Sequence, residues 1–385
     1  MDDIKKIFDK IQSPKKRVKC IKNKPIVINF EEEVFDSSSL YKIMETIKPY
    51  LAKYSMLDLT VYFNMGKIIF KDKVTYIILD MIFYYIFKYT RFRIDLFLNF
   101  DLVAMHHGFK NTAIARTWDK CNRLDKATFI KEYEKHIYTK LDDNVSLYRK
   151  IIKNEEFINQ KDIISRVMSD VEVVLNCKLK DEKWVDDVCN AVEELIDNIG
   201  AHTKGDCLLD IDICYSLDHS KIITNIVILN ISKDRIFDQV KEKIKNKIYD
   251  KADSVYSQIY KAYDNHANYF SEKYTEDDFF NIVAFQWGVT SRYNSSGNSG
   301  TGLITSIKSI VGKTLEQISY ELSGENIIMF DSEIMKSIDE ESDFIGFNQT
   351  NNFINDVPDV SAINKSKLYW PGTIFNLALV RDNNE

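Results

Sequence analysis

Glu194 and Asn198 are the residues in this chain whose types and spacing best suit chemistry. They lie four positions apart in the stretch 184–202, where residues four apart share one face of a helix. The apolar residues of the stretch recur at helical spacing and predict a core-facing arc: Val185, Val188, Val192, Leu195, Ile196 and Ile199. A carboxylate beside an amide can hold a hydrated divalent cation and polarise a water. The alternative interpretation is an ordinary amphipathic helix with a solvated acidic face.

A second candidate is the glycine-rich stretch 291–304, in which Gly297, Gly300 and Gly302 fall within six residues. An apolar, helix-periodic segment begins at once with Leu303. Glycines let the backbone approach a ligand closely, and the start of a helix favours phosphate through its dipole and free amides. The stretch is not a Walker loop, because no Gly-Lys-Ser/Thr follows.

The elements between these two candidates predict a single sheet that would position them. Residues 207–215 alternate apolar residues with Asp210 and Asp212, which predicts a half-buried strand. Residues 222–231 return as a more apolar strand and complete a hairpin. The segment 236–290 is helical and sits between two strands of the expected sheet, so we interpret it as a lid.

The last part of the chain predicts the remaining strands of that sheet. Residues 326–330 and 374–380 are apolar strand segments, and the polar, acidic stretch 331–366 between them is expected to be a loop. Thr373 stands just before the closing strand.

The first part of the chain alternates predicted strands and helices. The strands are 25–30, 59–64 and 92–100, and the helices are 40–54 and 71–89. This order predicts a small α/β layer domain. Residues 102–180 are mostly polar, and 132–141 and 144–152 are interpreted as exposed helices. We therefore predict three parts: a small α/β domain (1–125), a helical connector (126–180) and a ligand-binding domain (181–385).

Composition narrows the class of protein. The chain has 385 residues, 45% of them hydrophobic, and a net charge of −6, which disfavours nucleic acid as a partner. Its six cysteines form no Cys-x-x-Cys pair, so neither a zinc ribbon nor a redox pair is indicated. The longest apolar run, 76–87, contains Asp80 and is too short to cross a bilayer. We expect a soluble, cytoplasmic, bacterial protein without membrane contact.

The order of these features resembles the GHKL (Bergerat-fold) ATPases over roughly residues 170–385. The stretch 194–198, followed by His202, is similar to the N box of that superfamily, above all in the anti-sigma serine kinases. The resemblance implies that Glu194 is the general base, that Asn198 ligates Mg²⁺ and that His202 lies at the nucleotide. It also implies an α+β sandwich with a helical lid, and ATP as ligand.

Two further boxes of that superfamily have counterparts here. Gly300-Thr301-Gly302-Leu303, in the same loop as Gly297, resembles the second glycine box, which cradles phosphates. Thr373 matches a threonine that assists the adenine contact. The first glycine box departs from the pattern, because Asn230 stands where the superfamily has Asp and Ser232 stands where it has its first Gly. The resemblance then implies an adenine contact without charge at Asn230.

Three functions follow from the resemblance. The first is Mg²⁺-dependent ATP binding and hydrolysis that drives a regulatory or signalling switch. The alternatives are a serine/threonine protein kinase of the anti-sigma type, and a nucleotide sensor or interaction scaffold that does not hydrolyse. An ordinary histidine kinase is disfavoured, because no histidine precedes an acidic residue and a nearby proline. The order of elements in 1–125 is similar to that of STAS-like domains, and a protein partner or a homodimer is expected.

Overall fold

β-Sheets of four, six and two strands organise the part of the chain that the computed structural model describes. The described residues are 4–12, 18–19, 24–30, 32–99, 107–118, 123–140, 145–216, 218–233, 235–248, 254–286, 288–289, 303–315, 318–338 and 344–383. Helices alternate with or cover these sheets, so the predicted α/β class is confirmed.

The first part of the chain builds the four-stranded sheet and the two-stranded sheet. The strands of this part are β1 (Ile26–Asn29), β2 (Val34–Phe35), β3 (Thr60–Lys67), β4 (Ile69–Phe70), β5 (Arg93–Asn99) and β6 (Arg123–Leu124). Its helices are α1 (Lys5–Asp9), α2 (Ser37–Tyr54), α3 (Lys73–Tyr89), α4 (Ala113–Thr117) and α5 (Lys126–Glu134). The order is β1-β3-β5-β6, with β1, β3 and β5 parallel, β6 antiparallel, and β2 and β4 paired separately. The three predicted strands and two predicted helices of this part are confirmed.

The rest of the chain builds the six-stranded sheet and a helical layer. The strands are β7 (Ile137–Lys140), β8 (Val145–Ile152), β9 (Cys207–Tyr215), β10 (Lys221–Asn230), β11 (Tyr320–Met329) and β12 (Ile363–Asp382). The helices are α6 (Asn154–Asn159), α7 (Ile163–Asn176), α8 (Glu182–His202), α9 (Ile236–Lys245), α10 (Ser254–His266), α11 (Glu276–Ala284), α12 (Leu303–Val311) and α13 (Ser332–Ser337). The strand order is β11-β12-β10-β9-β8-β7, and every neighbouring pair is antiparallel.

Two stretches of the predicted connector are strands rather than helices. The prediction of helices at 132–141 and 144–152 is wrong, because α5 ends at Glu134 and β7 and β8 follow it. Both faces of β8 are buried, including Arg149, whose side chain is fully enclosed. A charged residue inside a strand that is buried on both sides removes the polar–apolar alternation by which a strand is recognised.

The closing strands are longer than predicted. β11 begins six residues before the predicted 326–330, and β12 spans 20 residues instead of 374–380. The early part of β12 carries Lys365 and Lys367, which made it resemble a loop in the sequence. The stretch 331–366 also contains α13 and the start of β12, so it is less irregular than expected.

The six-stranded sheet is covered on both faces. Helices α7 to α12 cover one face, which we call the helical face, where Leu195 and Phe375 belong to one buried cluster. The first part of the chain covers the other face, which we call the outer face, where Ile78 packs in one cluster with Val227 and Trp370. The region predicted as a separate domain, 1–125, therefore shares a continuous core with the six-stranded sheet.

The outer face also encloses charges. The prediction that β9 is half-buried is wrong, because Asp210 and Asp212 are both fully buried. Lys73 Nζ lies 2.7 Å from Asp210 Oδ1 and 2.5 Å from Asp212 Oδ1. Arg149 lies 3.0 Å from Asp80 Oδ2 and 3.2 Å from Asp210 Oδ2. We call these five side chains the buried ion network, and it joins α3 to β8 and β9.

The described residues of the insertion 236–290 are mainly helical, as predicted, but they are packed into the protein. Phe237 of α9, Ile259 of α10 and Phe279 of α11 are all fully buried in the cluster on the helical face. The insertion is therefore part of the helical layer rather than a flap that lies apart from it. In the described ranges, no helix has the length and apolar character needed to cross a membrane.

Candidate functional site

Helix α8 presents Glu194 and Asn198 side by side, as the sequence predicted. Asp181 caps the start of the helix by accepting from Trp184 N at 3.1 Å. The apolar arc is buried, which fixes the rotation of the helix and leaves Glu194 and Asn198 half-buried. Asn198 Nδ2 donates to the Glu194 backbone oxygen at 2.8 Å and to Glu194 Oε1 at 3.0 Å. Within the described part of the chain, Asn198 Oδ1 has no hydrogen-bond partner, so this oxygen is available to a cation.

Asn230 and Thr373 meet at one end of the sheet, although they lie far apart in sequence. The backbone amide of Thr373 donates to Asn230 Oδ1 at 2.8 Å. Gly372 makes this approach possible, because its φ is +116° and a Cβ there would lie 2.6 Å from the Asn230 backbone oxygen. Side chains alternate along a strand, and Ile228 and Phe375, two residues away, belong to the helical-face cluster. Asn230 and Thr373 therefore face the layer that holds α8.

The side chains of this pair carry unsatisfied polar atoms. Asn230 Nδ2 and Thr373 Oγ1 are both buried and have no hydrogen-bond partner among the residues that the structure describes. Leaving a buried polar group unpaired costs about 1–3 kcal/mol, so such groups are uncommon. A buried amide and a buried hydroxyl next to each other are suited to a polar ligand.

Ser232 lies on the chain segment that leaves this pair. It is buried, and its backbone amide donates to the Pro371 backbone oxygen at 3.1 Å. The residue that replaces the first glycine of the box is thus packed against the turn that precedes Thr373. Ser232 helps to hold the segment that follows β10 in place beside β12.

Glu321 is a residue of this face that the sequence analysis missed. It lies on β11 opposite Phe375, and the next residue on the same face, Ser323, lies opposite Thr373. Burial raises the pKa of the Glu321 carboxyl to about 8, and Asn281 Nδ2 donates to Glu321 Oε2 at 2.6 Å. The signal was an acidic residue between Tyr320 and Leu322, but the predicted strand began only at residue 326.

Helix α12 packs against α8. Just after the end of α12, Lys313 Nζ lies 2.5 Å from Asp187 Oδ2, in the first half of α8.

The remaining predicted site residues divide into two groups. His202 ends α8 and Leu303 begins α12. Gly297, Gly300, Thr301 and Gly302 lie outside the described residues. In the described ranges, no group of three or more His, Cys, Asp or Glu side chains is arranged to hold a metal ion. A cation at Asn198 would thus take most of its ligands from water or from a bound anion.

Comparison of the chain with family models, with curated proteins and with solved structures finds no match. The residues that the structure brings together on the helical face are Glu194 with Asn198, and Asn230 with Thr373. Their roles in binding or catalysis stay predictions.

Proposed function

We propose that this chain binds ATP and Mg²⁺ on the helical face in the manner of a GHKL ATPase, and that hydrolysis drives a regulatory switch. One observation carries the proposal. Asn230 and Thr373, expected to contact adenine, come from segments 143 positions apart and lie in contact. Both have unsatisfied polar atoms in the layer that holds Glu194 and Asn198.

The geometry suggests how adenine would be recognised. Asn230 Oδ1 already accepts from the Thr373 amide, so the atom left for a ligand is Nδ2, a donor. In this proposal Nδ2 donates to a ring nitrogen of adenine, and the Thr373 hydroxyl bonds to a polar atom on the same edge. An aspartate at position 230 would accept from the exocyclic amine instead, so Asn230 changes the hydrogen-bonding pattern and removes a charge.

The chemistry is assigned to Glu194 and Asn198. Asn198 would hold Mg²⁺ through its free amide oxygen, and the ion would supply positive charge to the phosphates. Glu194 Oε1 accepts a hydrogen bond from Asn198 Nδ2, and in the described residues Glu194 Oε2 has no partner. As general base, Glu194 accepts the proton of the attacking water or of an attacking hydroxyl.

The test is calorimetric titration with ATP, with and without Mg²⁺, followed by measurement of phosphate release. Asn198→Ala is expected to lose the part of the affinity that depends on Mg²⁺, and Glu194→Ala to bind ATP but release no phosphate. Unchanged affinity of Asn198→Ala in Mg²⁺ would refute the metal assignment. Binding without release by the wild-type protein would favour the kinase or the sensor over the ATPase.

A second pair of variants tests the adenine contact. Thr373→Val removes a hydroxyl that has no partner in the described structure, so we expect unchanged or higher thermal stability and about tenfold weaker ATP binding. Ser323→Ala is the control, because Ser323 Oγ donates to the Gly372 oxygen at 3.0 Å. It should lose about 1 kcal/mol of stability and keep its affinity. Equal ATP affinity in Thr373→Val and the wild type would contradict the proposal.

A further inference from the structure

A basic pocket lies in the first part of the chain, between the end of α3, the strands β5 and β6, and the start of α5. Its volume is about 710 Å³. Arg91, Arg93, Arg123 and Lys126 line it and define what we call the basic pocket. None of these residues belongs to the helical face, so the pocket is separate from the proposed nucleotide site.

The charges of the basic pocket do not balance. Asp58 and Asp125 are the two acidic residues of its lining, against four basic ones. Asp125 caps α5, because its Oδ1 accepts from the Thr128 backbone amide at 2.8 Å. Asp95, which lies outside the lining, pairs with Arg123 at 3.2 Å, so four basic side chains stand against three acidic ones and leave a formal excess of one positive charge in a chain whose net charge is −6. A local excess of this sign attracts anions.

The backbone amides of Arg91 and Arg93 are hydrogen-bonded, whereas their side chains have no partner in the described structure. Arg91 N donates to the Ser55 oxygen and Arg93 N to the Leu59 oxygen, both at 2.8 Å. The side chains of Arg91 and Arg93 are exposed, and in the described ranges their guanidinium groups have no hydrogen bond or ion pair. Their five donors each are therefore available to a ligand.

The other two basic residues are fixed at the rim. Lys126 Nζ donates to the Thr90 backbone oxygen at 2.7 Å, and Arg123 Nε lies 3.2 Å from Asp95 Oδ1. The apolar residues of the lining are Phe87, Phe92 and Leu124, all almost fully buried in the core. The pocket therefore has a packed apolar floor beneath its basic side chains.

We propose that the basic pocket binds a phosphate-bearing ligand with two or more adjacent negative charges. One guanidinium group can bind two oxygens of a phosphate at once, and two unpaired arginines two positions apart in sequence can engage neighbouring phosphates. The volume lies in the range of about 300–1,000 Å³ that is usual for small-ligand pockets. The source of the phosphates is either a free polyphosphate-bearing molecule or a lipid head group.

The experiment is calorimetric titration of the full chain with sodium tripolyphosphate in EDTA, so that no Mg²⁺-dependent site contributes. Arg91→Gln/Arg93→Gln should bind at least tenfold more weakly than the wild type. Lys161→Gln/Lys183→Gln is the matched control, because both lysines are exposed and the loss of formal charge is the same. It should keep the wild-type affinity. Both variants should melt like the wild type, since only exposed side chains change.

The outcomes separate the two sources. Binding of tripolyphosphate that depends on Arg91 and Arg93 supports a free ligand. Arginine-dependent binding only to phosphatidylcholine vesicles containing phosphatidylinositol phosphate supports a head group. No binding to either probe, or equal weakening in both double variants, would overturn the proposal.

Discussion

Asn230 and Glu321 are buried polar residues on the same face of one sheet, but they differ in their hydrogen-bond partners. Asn230 Nδ2 lacks a partner in the described structure, whereas Glu321 accepts from Asn281 and has a raised pKa. A neutral carboxyl group is far less costly to bury than a carboxylate. Glu321 is thus suited to a dry site when protonated, and its charge becomes a source of pH dependence.

We predict that Glu321 makes the protein less stable as the pH rises. Burial raises the pKa of its carboxyl from 4.5 to about 8 in the folded protein. The folded state therefore holds a proton that the unfolded state has lost, so the stabilisation is complete below about pH 4.5 and disappears as the pH passes about 8. The free energy of unfolding, measured with a denaturant, should fall less for Glu321→Gln than for the wild type between pH 4.5 and about pH 8, by about 2–4 kcal/mol.

Glu325→Gln is the control for this prediction. Glu325 lies on the same strand, but its side chain is exposed. Its free energy of unfolding should follow the wild-type pH profile. If the Glu321→Gln profile also ran parallel to the wild type, the linkage between Glu321 and stability would be refuted.

Among contacts between individual residues, the sequence predicted those that depend on local spacing. Glu194 and Asn198 were expected to be neighbours because four residues make about one helical turn, and they are. The resemblance assigned Asn230 and Thr373 to the same ligand, but it did not predict their hydrogen bond, and no local rule joins residues 143 positions apart. Glu321 was missed because its burial depends on α11, which packs on β11 only in the folded chain.

Strands β8 and β9 contain charged residues that become buried because the first part of the chain covers the sheet. Each carries charged residues that a sequence pattern places in solvent, yet Arg149, Asp210 and Asp212 are buried. Burial opposes the charge of Lys73, but the two carboxylates outweigh it and raise the pKa of Lys73 above its ordinary value. Helix formation depends on local periodicity, whereas the buried charges of both strands depend on α3, which ends 56 positions before β8 begins (89 to 145).

We predict that Lys73→Met strongly destabilises the protein. Lys73 contacts both Asp210 and Asp212 and is itself buried. Removing one partner of a buried ion pair leaves an uncompensated charge, which costs about 3–5 kcal/mol. Urea denaturation should show this loss as a lower midpoint with little change in slope.

Two comparisons make that experiment specific. Lys71→Met, at an exposed position two residues earlier, should change stability by less than about 0.5 kcal/mol. Lys73→Met/Asp212→Asn should recover part of the loss, because one of the stranded carboxylates is removed. Similar stabilities for Lys71→Met and Lys73→Met would show that the buried ion network contributes little.

In the molecule as a whole, the six-stranded sheet lies between two layers: the helices of the helical face and the first part of the chain on the outer face. The cluster on the outer face draws Ile78 from α3 and Val227 and Trp370 from the sheet. The sequence correctly predicted the α/β class, because strand and helix periods are local properties. It could not predict that the two layers would share one core, since no linker or change in composition shows it. The GHKL and STAS-like assignments stay predictions.

We predict that a fragment of residues 126–385 does not fold by itself. It would expose Val227, Leu229 and Trp370, and it would leave Asp210 and Asp212 without Lys73. Circular dichroism and thermal unfolding should show an aggregated product or one without a cooperative transition. Co-expression with residues 1–125 should restore a soluble complex. A soluble fragment that unfolds cooperatively would instead support the independent domains predicted from the sequence.

The position of β12 has a consequence for biosynthesis. This strand is the last in the described chain, yet it lies inside the sheet, between β11 and β10. While the ribosome is still making residues 363–382, β10 has a long unpaired edge and Asn230 lacks its contact with Thr373. Open strand edges invite pairing with other chains. Completion of the fold therefore waits for the emergence of one late segment, and a nascent chain that stalls before it is exposed to aggregation and to chaperones.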